Sequence, residues 1–348
     1  MYKTRTAGSA RRRIGWLAAA AAFGWTAMAD EVRVVATINP VHSLVSGVMV
    51  GVGAPHLIVR GASSPHDFSM RPSDAEKLEQ ADVVFLIGEY LEASLAGPIG
   101  TLAVDAEIVE LAETDGLVRR PLREGGNFEA DRDHVHGGDA QDEGGHDDGH
   151  DHEDDHDADS DGGDADRGGN EDEHGNFDLH VWLDPVNAQV MVGEIAEALA
   201  RADPGNAETY SSNAAALKHR LEELQTEIAA QVSPVRGAPF IVFHDGYRYF
   251  EDRFGVVAVG SAVVSADRSP GVRRIRELQN KVRDLEVKCV MTEPQFEPRL
   301  VNVIVEGTDA KAGAVDPLGA TIDSGPDLYF TLLRNMAASF EDCLATGG

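Results

Sequence analysis

After Asp203-Pro204 the sequence carries no strong helix breaker until Ser233-Pro234, and within that stretch Leu217, Leu221, Leu224, Ile228 and Val232 recur at spacings of three and four. That spacing gathers them on one face of a helix. Running from about Gly205 to Val232, the segment predicts a helix of about 28 residues, about 42 Å long at 1.5 Å per residue. A helix of that length can bridge two halves of a protein as a stiff spine. His219 falls about 200° round from Leu217 and belongs to the solvated face.

On either side of this spine, short β-rich runs alternate with helical periodicity. VRVVATI, HLIVR from His56, VVFLIG from Val83 and IVEL from Ile108 precede it, interleaved with helical stretches from His42 and after Pro72; FIVFH, VVAVG, VKCVMTE and AGAV follow residue 238. Strands separated by helices make parallel sheets, so the expected fold is α/β: two lobes of parallel sheet flanked by helices. The expected limits are 30–203 for the first lobe, 204–234 for the linking helix and 235–348 for the second lobe. At 42% hydrophobic residues the chain has enough apolar material for both cores.

The first 29 residues read as a cleaved export signal. A basic segment (Lys3, Arg5, Arg11, Arg12, Arg13) leads into an apolar core and then Ala27-Met28-Ala29, the small-x-small pattern of a signal-peptidase site. Cleavage is expected after Ala29. The apolar run from Ile14 to Ala29 is shorter than a spanning helix needs, so no membrane insertion is expected. In an oxidising compartment the two cysteines, Cys289 and Cys343, form either a disulfide or two buried free thiols.

Sixty acidic against 30 basic residues give a formal net charge of −30, which excludes a nucleic-acid binder, because Lys and Arg must neutralise phosphate. Much of that charge sits in the 46 residues from Glu129 to His174, with 20 acidic, 2 basic, 7 His and 9 Gly. So little apolar surface cannot offset ordering entropy, and a disordered insertion in the first lobe is expected. Its His134, His136, His146, His150, His152, His156 and His174 can gather weak, transient metal sites, each requiring closure of a floppy loop. HVHGGD, from His134 to Asp139, mimics a metallohydrolase signature but has no strand to hold it.

Three other histidines stand where a chain presents imidazoles. His66 lies in GASSPHDFSMRPSD after the strand HLIVR; His180 lies in FDLHVWLDP; His244 closes the strand FIVFH. A fourth position, Asp316 in AVDPLG, also ends a strand. Open α/β sheets bind ligands at the carboxyl ends of their strands, and three imidazoles with one carboxylate make a closed tetrahedral zinc set. Such imidazoles must be neutral, so affinity should fall as the pH drops below about 6.5, the unperturbed value.

The strings GASSPHDFSMRPSD, DLHVWLDP, FHDGYRYFEDRFG, TEPQF and DPLG, in this order, resemble the periplasmic metal-binding proteins of ABC importers, the cluster that includes the zinc-binding, ZnuA-like branch and the manganese binders. The resemblance covers essentially the whole mature chain. It implies two lobes joined by one rigid helix, with the metal in the inter-lobe cleft, His66, His180 and His244 as ligands, and Asp316 or water as the fourth. It also implies a monomer that delivers Zn²⁺ to a permease and its ATPase, and a disulfide between Cys289 and Cys343. The manganese branch has a carboxylate where His244 stands; imidazole there favours zinc. Some zinc members carry Glu just before the first ligand histidine, where this chain has Pro65.

Asp184, Asp245 and Glu293 are candidates to orient the ligand imidazoles. The chain has no HExxH helix, GxSxG elbow or Walker loop, so catalysis is not expected. Two alternatives stay open: a periplasmic zinc buffer or metallochaperone, and a zinc-dependent hydrolase with an open water position and Glu293 as its base.

Overall fold

Buried runs of Val, Ile, Phe and Met form the central strands of two parallel sheets flanked by helices. The computed structural model describes Met1 and residues 31–123, 128, 177–262, 271–296 and 298–345. The expected signal beyond Met1, its cleavage after Ala29, and the tract 129–174 with its seven histidines lie outside the described residues.

In the first lobe β1 (Val34–Ala36), β2 (His56–Leu57), β3 (Val83–Leu86) and β4 (Glu107–Glu110) pair in the order β2-β1-β3-β4, every pair parallel. Helices α1 (Asn39–Val48), α2 (Pro72–Glu79) and α3 (Ala93–Leu102) alternate with them, and α4 (Pro185–Ala202) follows. Asp184 starts α4 by accepting the amide of Val186, with Pro185 in the first turn, where no N–H is missed.

The second lobe repeats the plan: β5 (Phe240–Val242), β6 (Ala258–Ser261), β7 (Cys289–Thr292) and β8 (Lys311–Ala314) order as β6-β5-β7-β8, all parallel. Between and after them come α6 (Arg248–Phe254), α7 (Val272–Asp284), α8 (Pro298–Val305) and α9 (Leu328–Leu344). Alternation along β5 explains its unbroken apolar run. Phe240 and Val242 enter the main core, whereas Ile241 joins a second core with Leu278 and Val282 of α7 and Val301 and Ile304 of α8.

The spine is α5 (Ala207–Gln231), 25 residues long and three shorter than its periodicity predicts. Its ends are taken by 3₁₀ turns at Pro204–Asn206 and Ser233–Val235, where proline removes a backbone donor. The predicted stripe is its buried face, and His219 on the other side is 70% exposed. That face packs on α4 and α1 of the first lobe and α9 of the second, so one core runs through both lobes. At Gly47 of α1 a Cβ would stand 2.9 Å from a methyl of Leu217, so glycine sets how closely α1 and α5 approach. Cys289 of β7 and Cys343 of α9 form a disulfide across Cα atoms 5.8 Å apart. Among the described residues no helix is long and apolar enough to cross a membrane.

Candidate metal centre

Each sheet reverses its strand order beside its first strand, between β1 and β3 and between β5 and β7. At such a switch point the following loops diverge and leave a crevice. His244 lies two residues beyond the end of β5, and Glu293 directly follows β7. They meet there: Nδ1 of His244 is 2.5 Å from Oε1 of Glu293.

From the first lobe comes His180, just before the 3₁₀ turn Val181–Leu183. One oxygen of Asp178 receives both the backbone N–H of His180 at 2.9 Å and its ring Nδ1 at 2.7 Å. Trp182 stands 5.2 Å from the imidazole between ring centroids and donates from Nε1 to the carbonyl of Pro317.

The Nε2 atoms of His180 and His244 are 3.3 Å apart. A carboxylate behind each ring selects the tautomer with hydrogen on Nδ1, so both Nε2 atoms present lone pairs to each other. Two acceptors at this distance require a cation or a proton between them. Zn–N bonds of about 2.0–2.1 Å in a tetrahedron set neighbouring nitrogens about 3.3–3.4 Å apart, which matches. A Cβ on Gly246 would sit 2.4 Å from Nε2 of His244 and 2.8 Å from Nε2 of His180. The absent side chain leaves that place to an ion.

His66 lines the same small cavity, its ring centroid 6.2 Å from that of His180. Among the described residues no three His, Cys, Asp or Glu side chains are gathered tightly enough to hold an ion, so His66 is near without having closed on the pair. The cavity has about 20 Å³, room for one ion or one water. Glu293, Gln295, Pro317 and Leu318 also line it. Asp316 is not among the lining residues. Its carboxylate accepts the amides of Leu318 at 3.0 Å, Gly319 at 2.9 Å and Ala320 at 2.6 Å, which shapes the loop presenting Pro317 and Leu318. Burial raises the Asp316 carboxyl above its ordinary range, those amides oppose it, and Glu293 adds to it.

Of the three carboxylates expected to orient imidazoles, only Glu293 is bonded to a candidate ligand in the distances above. Asp184 pairs with Arg253 of α6 at 2.6 and 2.7 Å. Asp245 pairs with Arg123, which also donates twice to Glu251 at 2.9 Å. These ion pairs cross between the lobes and hold α6 beside His180. Tyr249 of α6 completes the attachment, receiving the amide of Arg120 and donating to the carbonyl of Asp178 at 2.7 Å. Sequence reasoning missed Asp178; its signal was its place two residues before His180. His42 and His56 serve elsewhere, against the carbonyl of Pro55 and the carboxylate of Asp74.

Comparison with known proteins bears on this geometry. The family model described as zinc-uptake complex component A, periplasmic, matches residues 34–343. A protein of Brucella suis biovar 1 named high-affinity zinc uptake system protein ZnuA is 49% identical over 312 residues, 90% of this chain and 91% of its own. One of the same name from Paracoccus denitrificans is 35% identical over 332 residues, 94% of this chain and 97% of its own. Among solved structures, a crystal structure of ZnuA superposes with a TM-score of 0.68 at 20% identity, covering 91% of this chain and all of that one. A manganese complex of the Pseudomonas aeruginosa protein FpvC gives 0.68 at 18%, covering 90% and 98%. At such identities these two superpositions speak for the fold alone.

Proposed function

Because the chain belongs to the ZnuA family of periplasmic zinc-uptake components, we propose that it captures one Zn²⁺ between its lobes and delivers it to an ABC permease driven by its ATPase. The observation that carries this reading is the pair of Nε2 lone pairs 3.3 Å apart, one from each lobe, each ring backed by a carboxylate. His66 closes from the cavity wall as the third imidazole. The fourth position falls to an oxygen, either the lone pair that Asp316 retains beyond its three amide bonds or another group of the wall. Three imidazoles suit zinc better than manganese.

In this reading the chain is exported, cleaved after Ala29, and works as a monomer of two lobes, 30–203 and 235–348, about the linking segment 204–234. The tract 129–174 adds weak zinc sites to the preformed one. The hydrolase alternative would need Glu293 as its base, a carboxylate that here is bonded to His244.

Calorimetric titration of the full mature chain with Zn²⁺ and Mn²⁺, beside the His66→Ala/His244→Ala variant, tests the proposal. One tight site preferring zinc is expected, lost in the variant while weaker binding persists. Tight binding that survives both substitutions would make the tract the metal-binding element and the protein a buffer.

A further inference from the structure

Gln295 also faces the cavity. Both polar atoms of its side chain, Oε1 and Nε2, are shielded from solvent and have no hydrogen-bond partner among the described residues. A buried amide left unsatisfied on both ends is unfavourable by roughly 1–3 kcal/mol for each lost partner. Gln295 sits between Glu293, bonded to His244, and Phe296, which stacks on Phe243 at 4.2 Å and meets the His244 ring edge-on. The segment is therefore anchored on both sides of the amide, which limits its escape to water.

We propose that Gln295 is a ligand-binding residue of the zinc site, its Oε1 supplying the fourth donor. The inference rests on the zinc reading above and goes beyond it. Two features carry it: Gln295 lines the cavity that the three histidines line, with both ends of its amide unpartnered among the described residues, whereas Asp316, whose carboxylate accepts three backbone amides, does not line it. An amide oxygen completes a His₃O set without adding charge. The dication is then balanced only from behind the imidazoles, by Asp178 and Glu293, a weaker hold than a directly bound carboxylate and one suited to cargo that must be released.

The test uses the full mature chain with Gln295→Leu, Gln295→Glu and Asp316→Asn. Zinc affinity is measured by competition with a chromophoric chelator, and the visible spectrum of the Co²⁺-loaded protein reports the donor set. Gln295→Leu should weaken zinc by more than the roughly tenfold that losing even an outer-shell partner costs, and should change the cobalt spectrum. It should also raise the melting temperature of the metal-free protein, because an unsatisfied amide is removed. Gln295→Glu should tighten zinc and slow its release, while Asp316→Asn should leave the cobalt bands in place. Unchanged affinity and spectrum in Gln295→Leu, or a spectrum that shifts only in Asp316→Asn, would overturn the proposal. If wild type itself shows no tight zinc site, the failure lies with the zinc reading and not with Gln295.

Discussion

His180 and His244 come from different lobes, 64 positions apart, and their Nε2 atoms stand 3.3 Å from each other with Nδ1 of each ring against a carboxylate. In the proposed reading this pair is arranged for a cation before any arrives, so little reorganisation is needed when one binds, and binding energy remains for drawing in His66.

Gly246 keeps the place between those nitrogens open. Gly246→Ala should weaken zinc binding without removing any ligand, because its Cβ would lie 2.4 Å from Nε2 of His244. Chelator competition measures the loss, and circular dichroism of the metal-free variant should show the fold retained. Wild-type affinity in this variant would place the ion elsewhere.

Asp178 fixes both the backbone and the ring of His180. Asp178→Ala should lower zinc affinity about 10–100-fold, the usual effect of removing the partner of a metal-bound imidazole. Asp178→Asn, which can still accept from Nδ1, should lose less. Equal losses in the two variants, read by the same competition, would mean that charge and not orientation is what Asp178 contributes.

Arg123 ties the first lobe to Asp245 and Glu251, and its side chain is only 17% exposed, with 11% and 2% for its partners. Burial raises both carboxyls above their ordinary range, and the guanidinium opposes the shift. Arg123→Gln leaves two buried carboxylates without their cation and should destabilise the fold by about 3 kcal/mol in urea unfolding near neutral pH. The deficit should shrink on acidification as those carboxyls take up protons. A deficit independent of pH would show lost packing instead.

Glu92 gives the stability a pH dependence. Fully buried, it accepts from the hydroxyl of Thr37 and the amides of Ile87 and Gly88, and burial pushes its carboxyl up to about 7. Between about pH 4.5, where the unfolded chain loses this proton, and about 7, the folded state holds it and the unfolded state does not. Stability from this group is therefore full below the lower value and falls as pH rises, by up to about 3 kcal/mol. Urea unfolding at pH 5 and 8 should show a drop in wild type that is smaller in Glu92→Gln.

The disulfide links residues 54 positions apart. Closing a loop of that length restricts the unfolded chain, and Cys289→Ser/Cys343→Ser should cost about 4 kcal/mol. The denaturation midpoint reads this, and reducing the wild type should move it the same way. A reductant that leaves the midpoint unchanged would show the bond is not formed in solution.

The pattern of apolar residues along the chain was enough to identify the two α/β lobes and the spine. Parallel strands buried on both faces leave unbroken runs such as VVFL and FIV, and Leu217, Leu221, Leu224 and Ile228 mark one side of α5. Both signals are local, because each residue reports only the face it turns to the core. That His66, His180 and His244 lie in loops beside strands and turns was legible in the same way. The trimmed ends of α5 were not, because periodicity cannot distinguish a last α turn from a 3₁₀ turn. The partners of polar groups were hidden for a further reason. Glu293 reaches His244 across 49 positions and Asp245 reaches Arg123 across 122, whereas Asp184 and Asp316 turn to an arginine and to backbone amides. Which carboxylate meets which donor depends on loop paths and lobe packing, and only the tertiary structure decides that.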